Sequence, residues 1–135
     1  KNTFFICGKS EKMPFPENIL DYVVVSFGLR NFSDINKSLK EVFRILKPGG
    51  KFFCLEFSQI NSPLLRKLFS IYNKIIPKYG KLISNNEFAY EYLIKSIEIF
   101  PNQIKLSKNL LKSGFKKIEV FDIIDGLSSI HIAEK

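Results

Sequence analysis

The sequence has no tryptophan, one histidine, one methionine and two cysteines among its 135 residues. A single histidine and no closely spaced cysteine pair leave no ligand set for a structural zinc, so no metal is expected. Cys7 and Cys54 each sit inside an apolar run. They read as buried free thiols of a reducing compartment, cytosol or mitochondrial matrix, and not as a disulfide framework. No apolar run reaches the length of a bilayer span, and nothing at the start reads as a secretory signal. There is also no cluster of basic residues interleaved with aromatics. The net charge of +8 comes mostly from scattered lysines, so no nucleic-acid partner is expected. The plain reading of that charge is lysine on solvated polar faces, with weak attraction to acidic lipid head groups as the alternative. Internal repeats and low-complexity linkers are absent. Lys1 is not an initiator and Met13 lies within a motif, so the chain reads as a processed or partial product.

What is present is a core. Hydrophobic residues make up 45% of the chain and phenylalanine alone occurs 14 times, enough for one globular domain. Thr3 to Cys7 reads as a short strand and Gly8 to Asn18 as a loop. Tyr22 to Phe27 is a continuous valine-rich run, the pattern of a strand covered on both faces. Ser33 or Asp34 supplies an N-cap. Ile35, Leu39, Val42, Phe43 and Leu46 then recur at helical spacing, until "KPGG" (Lys47 to Gly50) stops the helix. Lys51 to Phe57 is a second buried strand. Strand, helix, strand makes a right-handed parallel βαβ unit. Pro63 to about Ser96 reads as helical and aromatic, broken near Pro77 and Gly80. Asn102 to Ser113 is a further amphipathic helix closed by Gly114. Lys116 to Ile124 and Leu127 to Ala133 form a hairpin around Asp125 and Gly126.

In an open α/β sheet the ligand crevice lies outside the carboxyl ends of the parallel strands. One such end here carries Ser26, Phe27, Gly28, Leu29, Arg30 and Asn31. The other carries Glu56, Phe57 and Ser58. Arg30 and Glu56 are therefore expected near one crevice.

The stretches "MPFPENILD", "SFGLRNFSD", "EVFRILKPGGKFFCLEFS", "PLLRKL", "EYLIKSIEIFP", "LLKSGF" and "HIAEK" follow one another in a familiar order. Together they resemble the ubiquinone/menaquinone biosynthesis C-methyltransferases, class I enzymes that use S-adenosylmethionine. "LKPGG" is shared by many class I methyltransferases, whereas "FGLRN" followed by "LEFS" and by "YL" and "FP" is far more specific. The resemblance covers the whole chain but only the carboxyl-terminal part of a family member. It implies an α/β fold: the C-terminal part of a Rossmann-like sheet, with parallel strands followed by an antiparallel hairpin. Residues 1–135 would then be a partial domain, without the glycine-rich turn and acidic strand end that hold the cofactor. Such a chain would expose the flank of its Tyr22–Phe27 strand.

The resemblance also implies site residues. Lys9 and Ser10 align with the loop that faces the adenine, and Lys9 stands where the family carries Asp or Asn. Its ammonium donates only, so backbone groups would have to bind the ring. Ser26 stands at the strand end near the cofactor, or is simply a small residue filling a tight strand end. Arg30 is the candidate catalytic group: its guanidinium would hold the phenolate that forms as a ring carbon takes the methyl, or orient a water that removes the proton. The alternative is an arginine paired with Glu56 for structure. Asn31 would position Arg30 or the cofactor, or else serve as a plain turn residue or helix cap. His131, flanked by Ile130 and Ile132, reads as a structural histidine. Tyr72, Tyr79, Tyr90 and Tyr92 could line a cavity for a quinone head and isoprenoid tail, with core packing as the default for each.

The implied activity is C-methylation of a polyprenyl methoxy-benzoquinol, extending to a demethylmenaquinol. The implied partners are the polyprenyl quinol, a membrane surface contacted peripherally and a multi-enzyme quinone-biosynthesis complex. The implied place is the matrix side of the mitochondrial inner membrane, or the bacterial cytoplasm. A second reading is a truncated, non-catalytic remnant that keeps a partner-binding surface within that complex.

Overall fold

The computed structural model describes residues 3–72 and 87–135. Four strands form one mixed sheet in the order β1-β2-β4-β3. They are β1 (Leu20–Ser26), β2 (Leu46–Phe57), β3 (Lys117–Ile123) and β4 (Ser128–Glu134). β1 and β2 are parallel; β4 runs antiparallel to both β2 and β3. Among the helices, α1 is Ile35–Ile45, α2 covers residues 63–72, α3 is Glu87–Ile99 and α4 is Gln103–Lys112. A 3-10 turn, Leu29–Asn31, follows β1. No described helix is long and apolar enough to cross a membrane.

The α1 crossover joins β1 to β2. Asp34, not Ser33, is its N-cap, its carboxylate accepting from the Lys37 N–H at 3.0 Å. Leu39, Val42 and Ile45 are buried on one stripe, so the helical spacing read from the sequence holds. The helix closes one residue early: Leu46 is already extended and pairs with Leu20. The "KPGG" residues lie within the bounds of β2 and interrupt its register, because the next pair along is Tyr22 with Lys51. α4 begins at the Asn102 cap and packs its Leu106 and Leu110 into the same core as α1. Gly114 ends it at φ +113°, where a Cβ would stand 2.8 Å from the Phe43 ring; only glycine fits that approach.

Alternation along the strands divides the sheet into two unequal faces. Phe52, Cys54, Glu56, Ser129, His131 and Ala133 point to the face covered by α1 and α4, and all are buried. Tyr22, Val24 and Phe121 point to the other face and are exposed, while Phe53, Leu55 and Ile132 between them are only partly covered. The valine-rich run is therefore covered on one face, not two, and β1 is an edge strand as the resemblance implied.

Thr3 to Cys7 is not a strand. An extended segment joins a sheet only where a neighbour takes its N–H and C=O groups, and no described strand does so. Phe4, Phe5 and Ile6 are exposed, and so is Cys7, which corrects the reading of both cysteines as buried. Cys54 is buried, and burial first, then the Glu56 carboxylate, push its thiol up to about 12. Tyr79 and the break expected near Pro77 and Gly80 lie outside the described residues, as does the side chain of Tyr90. The hairpin forms as read: the Leu127 N–H donates to the Ile124 carbonyl at 3.1 Å across Asp125 and Gly126. Both central residues have positive φ, as tight hairpin turns require.

Candidate functional site

The site begins where β1 ends. Phe27 leaves the strand at φ 49°, a left-handed conformation uncommon for a bulky residue. The Phe27 N–H still donates to the Leu55 carbonyl of β2 at 2.8 Å, so the chain turns sharply while anchored to its neighbour. The 3-10 turn follows at once and buries Leu29 completely. Between this apolar anchor and the solvent sits Arg30.

Arg30 is fixed by Glu56, the next-to-last residue of β2. Arg30 Nη1 donates to Glu56 Oε1 at 2.7 Å and to the Phe27 carbonyl at 2.7 Å. The Arg30 backbone N–H donates to the second oxygen, Glu56 Oε2, at 3.3 Å, and the Phe57 N–H donates to Oε1 at 3.0 Å. Glu56 is 1% exposed and the Arg30 side chain 10%. The guanidinium carbon stands 5.4 Å from the centre of the Phe57 ring, a cation–π distance, and the Phe57 ring packs on Phe27 at 4.8 Å. This pairing unites the ends of two neighbouring strands, as the sequence implied. It leaves one buried donor unused: Arg30 Nε has no hydrogen-bond partner among the described residues.

Asn31 is exposed beside it. Its Oδ1 accepts from the Tyr92 hydroxyl of α3 at 2.8 Å. Tyr92 thus acts as a strut from the helical region to the arginine turn, a role that sequence reasoning missed. The only signal was an aromatic in the "EYLIKS" stretch, and nothing in its spacing marks a partner so far back in the chain.

Lys9 and Ser10 lie elsewhere. They line a cavity of about 430 Å³ with Met13, Pro14, Val23, Val25 and Phe32, alongside the covered face of β1. The Lys9 carbonyl accepts from the Lys12 N–H at 3.1 Å, so it is already used. The Ser10 and Ser38 hydroxyls are 3.0 Å apart, and Glu11 Oε1 accepts from the Asp34 N–H at 3.0 Å, which ties this loop to the start of α1. Backbone N–H groups, its own first and that of Asp34 next, hold the Glu11 carboxyl below the usual range. Ser26 is exposed and is not among the residues lining this cavity. The three expected cofactor contacts are therefore not brought into one place. The fit to S-adenosylmethionine is partial: the apolar walls and the Lys9–Ser10 backbone suit a flat base, but the described lining holds no carboxylate for ribose hydroxyls.

His131 is buried, with Nε2 at 3.2 Å from the Gln103 carbonyl. That contact puts the ring proton on Nε2. Burial, opposed by that carbonyl and by Asp122, holds its pKa below the ordinary histidine value. It lies among sheet and α4 residues and touches none of Arg30, Asn31 or Glu56 by hydrogen bond.

A sequence model of the ubiE/COQ5 methyltransferase family matches residues 1–135. The ubiquinone/menaquinone biosynthesis C-methyltransferase UbiE of Rickettsia bellii is 43% identical over 136 aligned positions, which take in 100% of this chain and 55% of that protein. Its namesake in Wigglesworthia glossinidia brevipalpis is 46% identical over 132 positions, 97% of this chain and 53% of that one. The chain thus spans about half the length of the curated relatives it matches. Among solved structures, a SAM-dependent methyltransferase of Thermotoga maritima, described as a possible histamine N-methyltransferase, superposes with a TM-score of 0.67 at 19% identity. That match covers 98% of this chain and 64% of that one. The CurJ carbon methyltransferase gives 0.61 at 15% identity over 93% of this chain and 33% of that one. These likenesses establish the fold: an α/β class I methyltransferase sheet with a parallel pair and an antiparallel hairpin.

Proposed function

This chain belongs to the ubiE/COQ5 methyltransferase family, and we propose that it carries the acceptor side of a C-methylation of a polyprenyl methoxy-benzoquinol or a demethylmenaquinol. The observation that carries this reading is the spare donor of Arg30. Glu56 and the Phe27 carbonyl hold one arm of the guanidinium, which leaves the buried Nε free. A buried donor without a partner costs stability unless a ligand uses it.

The ring carbon beside a phenolic hydroxyl attacks best when that hydroxyl has lost its proton. Arg30 carries a fixed charge and a rigid fork of donors, so it lowers the cost of the phenolate in a site with little water. Glu56 sets the angle of the fork, and Asn31, braced by Tyr92, borders the same turn. When the acceptor carbon gains its methyl it sheds its proton to water, and the phenolate oxygen stays against Arg30. S-adenosylmethionine supplies the electrophilic methyl when bound. Lys9 and Ser10 would meet its base, and Ser26 would border it from the strand end.

An acceptor this apolar places the work at a membrane surface, either the matrix face of a mitochondrial inner membrane or the cytoplasmic face of a bacterial one. A quinone-biosynthesis complex is the expected partner. The test is transfer of a labelled methyl from S-adenosylmethionine to a short-chain methoxy-benzoquinol by the whole protein that carries this chain. Arg30→Ala should lower kcat by about 10²-fold or more with cofactor affinity little changed, the size seen on losing one oxyanion donor. Equal loss of both, or of neither, would make Arg30 structural. Absence of any transfer would favour a non-catalytic, partner-binding role, for which Lys9 in place of an acceptor side chain is the supporting feature.

A further inference from the structure

Asn31 does not behave as a turn residue. Asparagine in a turn normally spends its side chain on nearby backbone. Here that backbone is already served: the Asn31 N–H donates to the Gly28 carbonyl at 3.0 Å, the Phe32 N–H to the Leu29 carbonyl at 3.1 Å, and Asp34 caps α1. The Asn31 carboxamide reaches Tyr92 instead, 61 residues along, and takes the hydroxyl proton on Oδ1 at 2.8 Å. Tyr92 does not behave as a core tyrosine either, because it is 58% exposed. The bond its hydroxyl makes, more than burial of its ring, sets where it points. Among the described residues this is also the one side-chain hydrogen bond from α3 to another element, since Ser96 gives its hydroxyl to the Leu93 carbonyl of its own helix. A carboxamide is planar, with its acceptor oxygen on one side and its donor nitrogen on the other. Once the tyrosine proton sits on Oδ1, Nδ2 has to face away from Tyr92. Its two N–H bonds are then offered from the turn that carries Arg30, and no described residue accepts them.

We propose that Tyr92 is a positioning residue for acceptor specificity: by pinning Oδ1 it keeps Asn31 Nδ2 turned toward the acceptor, where it donates to the methoxy oxygen. The inference rests on the reading of Arg30 as the group that holds the phenolate. An ether oxygen can only accept, so it needs a donor and gains nothing from an amide that has flipped. Arg30 then carries the charge, and Asn31 sets the rotation of the ring about it, which decides which ring carbon meets the methyl.

The experiment compares two short-chain quinols, one with the methoxy group and one without, in the whole protein that carries this chain. Methyl transfer gives one ratio of kcat/KM, and equilibrium binding under nitrogen gives a second ratio that needs no turnover. The methoxy ring should be preferred about three- to tenfold in both, the size of one ordinary hydrogen bond. Tyr92→Phe should erase most of that preference. Asn31→Ala should erase it too, and adding Tyr92→Phe to Asn31→Ala should remove nothing more. Asn31→Asp still accepts from Tyr92 but has no N–H to give, so it should lose the preference with the strut intact. Each ratio is internal to one variant, so a loss of folded protein does not imitate the effect. A preference that survives Tyr92→Phe, or losses that simply add, would overturn the inference while a turnover defect in Arg30→Ala left the Arg30 reading in place. Absence of transfer, with the binding preference present and lost in Tyr92→Phe, would instead sink the Arg30 reading and leave the methoxy contact standing.

Discussion

Arg30 and Glu56 are each worth more to the fold together than either is alone. Removing one partner of a buried pair strands the other's charge, at about 3–5 kcal/mol. Arg30→Ala and Glu56→Ala should each lower unfolding free energy by roughly that much, and the double substitution by less than their sum, with a coupling of about 1–3 kcal/mol. Urea unfolding of the four proteins measures it, and simple additivity would show the pair to be uncoupled. His131 sets a pH limit of a different kind. Its folded pKa is depressed, chiefly by burial, so the unfolded chain takes up the proton first. Stability should be full above about pH 6.5 and decline as pH falls from there toward the lower folded value. Thermal melts between pH 5 and pH 7.5 would follow this, and His131→Gln should flatten the profile; an unchanged slope would assign the loss to other groups. At this scale the sequence was informative where chemistry is local. Arg30 and Glu56 each close a strand, and strand ends of a parallel pair must meet. It was mute on the Tyr92–Asn31 bond, which joins residues 61 apart through an exposed hydroxyl, and it misjudged Cys7, whose apolar neighbours are themselves exposed.

Elements whose burial has a period were legible: α1 and α4 each bury one helical stripe and β4 buries every second residue, while β3, exposed along nearly all its length, was legible from its composition and from the Asp125–Gly126 turn. Thr3 to Cys7 has the composition of a strand but no described neighbour, and composition alone cannot supply one. The valine run of β1 is equally apolar on both sides, so its pattern could not say that one side is open. α2 shows a related ambiguity. Phe69 and Arg66 line a pocket beyond the carboxyl end of β2, while Leu64, Leu68, Ile71 and Tyr72 project outward and are exposed. Its charged residues within 63–72, Arg66 and Lys67, are both basic. The Arg66 guanidinium donates to the Ile60 carbonyl, so Lys67 is the basic flank of the outward apolar arc, an arrangement that suits the surface of an anionic bilayer. The chain should sediment with vesicles containing phosphatidylglycerol and only weakly with phosphatidylcholine alone, and Leu68→Asp should cut the binding about tenfold or more. Equal binding to both vesicle types, or none, would count against a membrane-facing α2.

The molecule as a whole is a half-dressed sheet. One face is packed under α1 and α4; the other carries Tyr22, Val24, Phe53, Leu55, Ile132 and Phe121, exposed or only partly covered. β1 adds a free edge beside it. Open apolar edges of this kind recruit other strands. Sedimentation of the 135-residue chain should therefore show concentration-dependent association, and Val24→Lys should shift it toward monomer without changing the circular dichroism of the fold. A monomer at all concentrations would mean that the edge is guarded in some other way. The strand order has a consequence in time as well. β2 sits between β1 and β4, and β4 is the last strand in the chain. During synthesis β2 gains one neighbour through the short α1 crossover, and waits for the other until the whole segment between Phe57 and Ser128 has been added. Through that interval the strand that carries Glu56 is itself a bare edge. A ribosome that pauses between the codons of Phe57 and Ser128 would hold the chain in its stickiest state, and chaperone demand should be highest through that interval.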